Sequence, residues 1–263
     1  MNIALYHVDA FTDKLFSGNP AAVCVLPAWI SEEKLRLIAI ENNLPVTAFI
    51  VDGDGHYAIR WITPDYELDL CGHGTLASSF IIFNYLEASR KEISFDSRAG
   101  VLKVTRDHEW MTLNFPVKAI EPSPLSQLLI EGLGIKPLEL YQHHHERLLA
   151  VFENEDIVCD MKPNMAVLKN LDHRGIVVTA PSSSVDFVSR TFYPWKGISE
   201  DPVTGASHCV LVPYWAKRLG KINLQARQVS ARGGEIKCEY HHDYILLSSR
   251  AVLYSQGTLF IEP

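Results

Sequence analysis

The residues best suited to chemistry lie in two short segments, one in each half of the chain: Asp69-Leu-Cys-Gly-His-Gly-Thr-Leu-Ala77 and Glu200-Asp-Pro-Val-Thr-Gly-Ala-Ser-His208. Each sets polar groups in a turn of small residues and then enters an apolar run. A turn of this kind opening a helix leaves backbone N–H groups unpaired at the positive end of the helix dipole, which suits a carboxylate or another small anion. Gly72 in one turn, and Gly205 and Ala206 in the other, can offer such donors, because the position demands only a small side chain. His73, flanked by glycines, can hold a substrate hydroxyl or carboxylate and assist proton movement; the plainer reading is a histidine bonded to a neighbouring backbone group. Asp201 before Pro202 reads as a helix cap. Asn19, in a Gly-Asn-Pro turn, either lines the same site or satisfies its own turn. The repeated design points to one site between two related lobes.

The elements that must position these turns follow from hydrophobic patterning. Leu76–Leu86 and Cys209–Leu219 are apolar on nearly every side and read as buried helices. In the second, Pro213 predicts a kink and Gly220 a left-handed C-terminal cap. Alternating or β-branched runs predict strands at Ile3–Val8, Ala21–Leu26, Thr47–Val51, Tyr57–Ile62, Val101–Thr105 and Trp110–Phe115. The second half repeats the pattern at Leu148–Phe152, Ile176–Thr179, Phe187–Tyr193, Arg227–Ala231, Glu235–Tyr240, Tyr244–Ser248 and Val252–Ile261. The expected fold class is α+β, with two pseudo-symmetric lobes, each a barrel-like sheet wrapped around a central apolar helix.

The 263 residues suffice for one large domain or two ordinary ones, and 47% hydrophobic content can fill two cores. A net charge of -7, with Lys and Arg scattered along the chain, argues against a nucleic-acid partner. No apolar stretch reaches the roughly 20 residues of a membrane span, and the N-terminus lacks the pattern of a signal peptide, so a cytoplasmic protein with no membrane partner is expected. The five cysteines are odd in number and none forms a C-x-x-C pair, which suggests neither disulfides nor zinc. His143-His-His145 and His241-His242 have no carboxylate spacing that completes a metal site, and Gly72-His-Gly74 lacks the frame of a nucleotide loop. Neither metal nor cofactor is expected.

Five ordered motifs then give a resemblance that runs the whole length: Val8-Asp-Ala-Phe-Thr with Phe16-Ser-Gly-Asn-Pro-Ala-Ala-Val23, Glu41-Asn-Asn-Leu, Cys71-Gly-His-Gly-Thr, Glu200-Asp-Pro-Val-Thr-Gly205 and Arg232-Gly-Gly234. The chain resembles the PhzF-like (phenazine-biosynthesis-like) isomerases of the diaminopimelate-epimerase fold superfamily. The resemblance implies a homodimer, an N-terminal lobe over 1–117 joined by the C-terminal strand 251–263, and a C-terminal lobe over 118–250. It also matches Glu41 to the family's catalytic glutamate. Glu41 lies near the end of a helix expected over Ser31–Asn42, with an acidic first turn and a half-buried face of Leu35, Ile38 and Ala39. A carboxyl at the mouth of an apolar cleft can be tuned to take a proton from carbon and return it elsewhere; the residues alone favour a solvated helix-end glutamate at position 41, and the family match reverses that preference. The family likewise places the histidine matching His73 and the aspartate matching Asp201 against the substrate.

What the resemblance implies is a cofactor-independent isomerase that moves a proton between carbons of a small carboxylate-bearing metabolite. Two departures touch the site: Pro45-Val-Thr47 stands where many relatives carry Ser-Glu-Thr, and Ala206-Ser-His208 where Ser-Ala-His is common. The alternatives are an amino-acid epimerase or racemase using Cys71, and a non-catalytic small-molecule binder. The superfamily's epimerases use two cysteines, and Pro202 stands in the second cysteine's slot here.

Overall fold

The computed structural model describes residues 1–53, 55–195 and 199–262. Pro263, at the end of the expected return strand, and residues 196–198 of the expected C-terminal lobe lie outside the described residues. The chain divides into two compact units, Met1–Asn114 with Ser248–Pro263, and Phe115–Leu247.

In the first unit, β1 (Asn2–Ala10) pairs antiparallel with β2 (Asn19–Leu26), and α1 (Glu32–Asn42) crosses to β3 (Thr47–Gly53), which lies parallel to β2. An antiparallel β4 (His56–Ile62) follows, with the short β5 (Glu67–Leu68) paired to its end. Helix α2 (Gly72–Ile81) and a π-helical turn, Ile82–Leu86, then lead to β6 (Glu92–Ser97), parallel to β4, and to the antiparallel β7 (Gly100–Asp107) and β8 (Trp110–Pro116).

The second unit contains β9 (Glu121–Pro122), α3 (Gln127–Leu133), β10 (Glu139–His143), β11 (Arg147–Val151), α4 (Glu155–Asp160), α5 (Met165–Leu168), β12 (Gly175–Pro181), β13 (Phe187–Phe192), β14 (Glu200–Asp201), α6 (Gly205–Leu219), β15 (Asn223–Gln228), β16 (Gly234–His241) and β17 (Tyr244–Ser249). Its pairings run antiparallel for β10–β11, parallel for β11–β12, antiparallel for β12–β13, parallel for β13–β15 and antiparallel for β15–β16. The first unit shows the same alternation from β1–β2 to β6–β7. In both units the apolar helix, α2 or α6, occupies the second parallel crossover and follows a two-residue strand. The final strand, β18 (Ala251–Phe260), pairs antiparallel with β1 from Asn2↔Phe260 to Ala10↔Ala251, with a bulge between His7 and Val8.

Each unit has its own apolar core. Ile3, Cys24, Leu35, Ala39 and Phe49 are fully buried in the first, and Leu129, Ala150, Val178, Val188 and Phe192 in the second. Burying a side chain of this size contributes roughly 1.5–3 kcal/mol. Helix α2 packs on β1, β2 and β3. Its hydroxyls do not oppose burial, because Thr75, Ser78 and Ser79 donate to the carbonyls of Cys71, Gly74 and Thr75 at 2.6–2.8 Å.

Three details differ from the sequence reading, and a fourth shows how a proline is accommodated. The run Leu76–Leu86 is α-helical only to Ile81: the Glu87 amide reaches back to the Ile82 carbonyl at 2.7 Å, the Phe80 carbonyl takes the Asn84 side chain at 2.8 Å, and the Phe83 carbonyl takes Arg106 at 2.6 Å. The carbonyls of this turn therefore find side-chain donors, which permits the wider winding. Helix α6 continues through Pro213, as the helix read over Cys209–Leu219 requires. Proline has no N–H for the carbonyl of Cys209, and that carbonyl accepts instead from the Lys118 amide at 3.0 Å. The strand read at Arg227–Ala231 ends at Gln228, and residues beyond it form a turn around Ser230. β6 and β10, whose side chains are mostly half-buried or exposed, were not signalled by the pattern. Gly220 does cap α6 in the left-handed conformation, at φ 64°.

Candidate active site

Glu41 sits in the last turn of α1, a helix fixed at both ends. The Ser31 hydroxyl accepts from the Lys34 amide at 3.3 Å, and Asn43 closes the helix at φ 47°, its amide bonded to the carbonyls of Ala39 and Ile40. Beside Glu41, the Asn42 side chain donates to the Thr47 hydroxyl on β3 at 3.1 Å. Leu35, Ile38 and Ala39 form the buried face, whereas Glu41 itself is exposed. The helix face expected from the sequence is thus buried, and Glu41 is a solvent-facing carboxyl on a rigid support.

His73 occupies the first turn of α2. Its Nδ1 lies 3.5 Å and its Nε2 3.9 Å from the Cys71 sulfur, so the imidazole meets a thiol. Burial pushes the imidazole down to about 4, which keeps it neutral at physiological pH. It can donate or accept a hydrogen bond there without carrying charge. Cys71 is the N-cap residue, is 4% exposed, and makes no side-chain capping bond. Gly72 and Gly74 flank His73, and the requirement for glycine at 74 is steric: an added Cβ would lie 2.6 Å from Cδ1 of the buried Trp61.

Asn19 is the first residue of β2, paired with Ala10 and fully buried. The loop before it folds over β1, because the Asp9 carboxylate accepts from the Phe16 amide at 2.9 Å. Gly18, at φ 68°, passes so close that a Cβ would fall 2.2 Å from the Ala10 carbonyl oxygen.

In the second unit, Asp201 ends β14, and the Thr204 hydroxyl donates to its carboxylate at 2.7 Å. The N-cap of α6 is Thr204, not Asp201, which corrects the capping role read from the Asp-Pro pair. Gly205 and Ala206 form the helix start, where amides lack intrahelical acceptors. The carbonyl of Ala206 accepts from Arg147 at 2.6 Å. Ser207 does not supply the hydroxyl that relatives carry at position 206: it is fully buried and bonded to the Thr191 hydroxyl at 3.0 Å. His208, also fully buried, has Nδ1 2.9 Å from the Thr204 carbonyl. A carbonyl only accepts, so Nδ1 carries the hydrogen, and burial pushes this imidazole too down to about 4.

The turn's support includes residues that the motifs do not mark. Arg190 grips Glu200, the neighbour of Asp201, with two bonds of 2.7 and 2.9 Å, and also donates to the carbonyls of Val158 and Met161. Gln228 and Ser230 bond to the same turn. None of these residues carries a spacing signal, because each reaches the turn by a side-chain hydrogen bond from a segment distant in sequence.

Comparison with known proteins gives a consistent class. The model of the family described as phenazine biosynthesis-like protein matches residues 8–257. An uncharacterised isomerase of Pseudomonas aeruginosa is 44% identical, covering 99% of this chain and 100% of its own. A crystal structure of a PhzF-family protein from Enterococcus faecalis superposes with a TM-score of 0.96 at 44% identity, covering 99% of this chain and 100% of that one. A predicted epimerase of Pseudomonas aeruginosa, 13% identical with a TM-score of 0.74 over 99% of this chain and 100% of its own, shares the fold. Fold and relatives together define a sheet-rich isomerase. The chain belongs to the phenazine biosynthesis-like (PhzF) family.

Proposed function

We propose that the protein is a cofactor-independent isomerase that moves a proton between carbons of a small carboxylate-bearing metabolite, with Glu41 as general acid and base. His73 and Asp201 hold the substrate, and the amides of Gly72, Gly205 and Ala206 steady its negative charge. Asn19 supports the turn before β2, and the two units serve as lobes of one enzyme that works as a homodimer. The observation that carries this reading is the division of labour between His73 and Glu41. An imidazole held neutral to about pH 4 is a poor proton source at neutral pH, whereas Glu41 offers an exposed carboxylate on a helix capped at both ends. Family membership supplies the reaction class but does not fix the substrate.

The contact between Cys71 and His73 favours one second reading, epimerisation of an amino acid with the Cys71 thiol as proton carrier. Proton NMR in D2O separates the two. Deuterium uptake into carbon positions is followed for dihydro-hydroxyanthranilate and a set of amino acids, with wild type, Glu41→Gln and Cys71→Ala compared. Uptake abolished by Glu41→Gln and retained in Cys71→Ala supports the isomerase. The reverse pattern assigns the reaction to the thiol, and uptake that survives both removes both residues as the base.

A further inference from the structure

The turn that carries Asp201 is held from behind by one short segment. The side chain of Gln228, fully buried at the end of β15, accepts through Oε1 from the Thr204 amide at 2.8 Å and donates through Nε2 to the Asp201 carbonyl at 2.7 Å. The same Nε2 lies 3.3 Å from the Thr204 hydroxyl oxygen, which in turn donates to the Asp201 carboxylate. Two residues on, the Ser230 hydroxyl donates to the Pro202 carbonyl at 2.7 Å and accepts from the Gly233 amide at 3.1 Å. Asp201, Pro202 and Thr204 are thereby each tied to residues 228–230.

Chemistry requires this tie. The segment has an imino residue in its middle and a helix start at its end, so it cannot satisfy its own polar groups by regular pairing. An amide side chain presents a donor and an acceptor side by side without titrating, matching the carbonyl of Asp201 and the amide of Thr204. Occupying the Thr204 amide from behind leaves the following amides, Gly205 and Ala206, to define the helix start. Orienting the Thr204 hydroxyl fixes one oxygen of the Asp201 carboxylate.

We infer that Gln228 is a positioning residue of the active site, setting the direction of the Asp201 carboxylate and of the first α6 amides without touching substrate. The inference rests on the proposed isomerase only for its consequence in turnover; the geometric part stands alone and is tested separately.

The full-length chain is compared with Gln228→Met, which keeps the volume and removes both bonds, and Gln228→Glu, which keeps the acceptor. Amide hydrogen exchange is measured by NMR, with Ala226 and Ile236, paired between β15 and β16, as internal references for the sheet. In Gln228→Met the Thr204 amide is expected to exchange at least about tenfold faster while the reference amides hold, and in Gln228→Glu its protection returns. Unchanged Thr204 protection in Gln228→Met overturns the inference. So does equal loss at the references, because that marks a merely structural role. Where wild type exchanges a carbon-bound proton, kcat in Gln228→Met is expected to fall roughly ten- to hundredfold with KM changed less. Full kcat with a released Thr204 amide overturns the positioning of Asp201. A wild type without carbon exchange counts against the isomerase reading, and the amide result still decides the geometry.

Discussion

At the residue scale, the surroundings of each candidate group decide what a substitution does. Glu41 is exposed and supports no part of a core, so Glu41→Gln is expected to change unfolding free energy by less than about 0.5 kcal/mol in urea denaturation, even where proton exchange is lost. A large loss of stability would mean that the carboxylate is structural. Gly74 behaves in the opposite way. A methyl at this position meets the Trp61 ring, and Gly74→Ala is expected to destabilise by about 1–3 kcal/mol. The clash is specific, so a double-mutant cycle with Trp61→Leu should return a favourable coupling; strict additivity would locate the strain elsewhere. The spacing made Gly72, His73 and Asp201 visible as candidates, and the family resemblance added Glu41. The spacing did not reveal the neutral state of His73 or its contact with Cys71, because both depend on how the turn packs.

At the scale of elements, each functional group is placed by an end of a helix or a strand and by the bonds that close that end. The C-cap of α1 lies two residues beyond Glu41 and uses Asn43 in the left-handed region. Glycine adopts this conformation without a Cβ penalty, so Asn43→Gly is expected to be neutral or stabilising by a few tenths of a kcal/mol, and Asn43→Ala destabilising by about 1 kcal/mol. Thermal unfolding of the two variants checks the order; Ala above Gly would contradict the cap. Helix starts, the Gly220 cap and strands with alternating burial, such as β4, were legible because local chemistry dictates them. The break at Ile81 and the partner of the carbonyl that Pro213 leaves without an N–H were not. In both places a distant group, Arg106 or the Lys118 amide, meets a carbonyl that the local winding leaves over. β10 escaped notice because all its residues are half-buried, so the period-two signal is weak, and β6 because only two apolar residues, the buried Ile93 and Phe95, carry its alternation.

For the molecule as a whole, the two buried imidazoles predict how stability responds to acid. His73 in the first unit and His208 in the second are both held at about 4, against 6.5 for a free histidine, and burial also lowers His7 and His173. The folded chain therefore binds fewer protons than the unfolded chain between pH 6.5 and 4. Stability must fall as pH drops through that window and is fully present above it. At about 1.4 kcal/mol per unit, His208 alone accounts for up to about 3 kcal/mol below pH 4; His73 contributes less, because water partly reaches it. The carboxylates act in a separate, lower window. Arg60, through its hydrogen bonds, holds Glu67 below the usual carboxylate range, and the Lys118 ammonium does the same for Glu146. Their stabilisation is lost only as pH falls below the unfolded value of 4.5 toward their lowered folded values. Urea midpoints measured from pH 8 to pH 4.5 should thus decline before the carboxylates titrate. His208→Gln, which has no charge to exclude, should flatten the decline by roughly its own share. A wild-type midpoint that stays level down to pH 5 would mean that the buried imidazoles accept protons in the folded state, and with that the assignment of His73 as a neutral partner to Glu41 would fail.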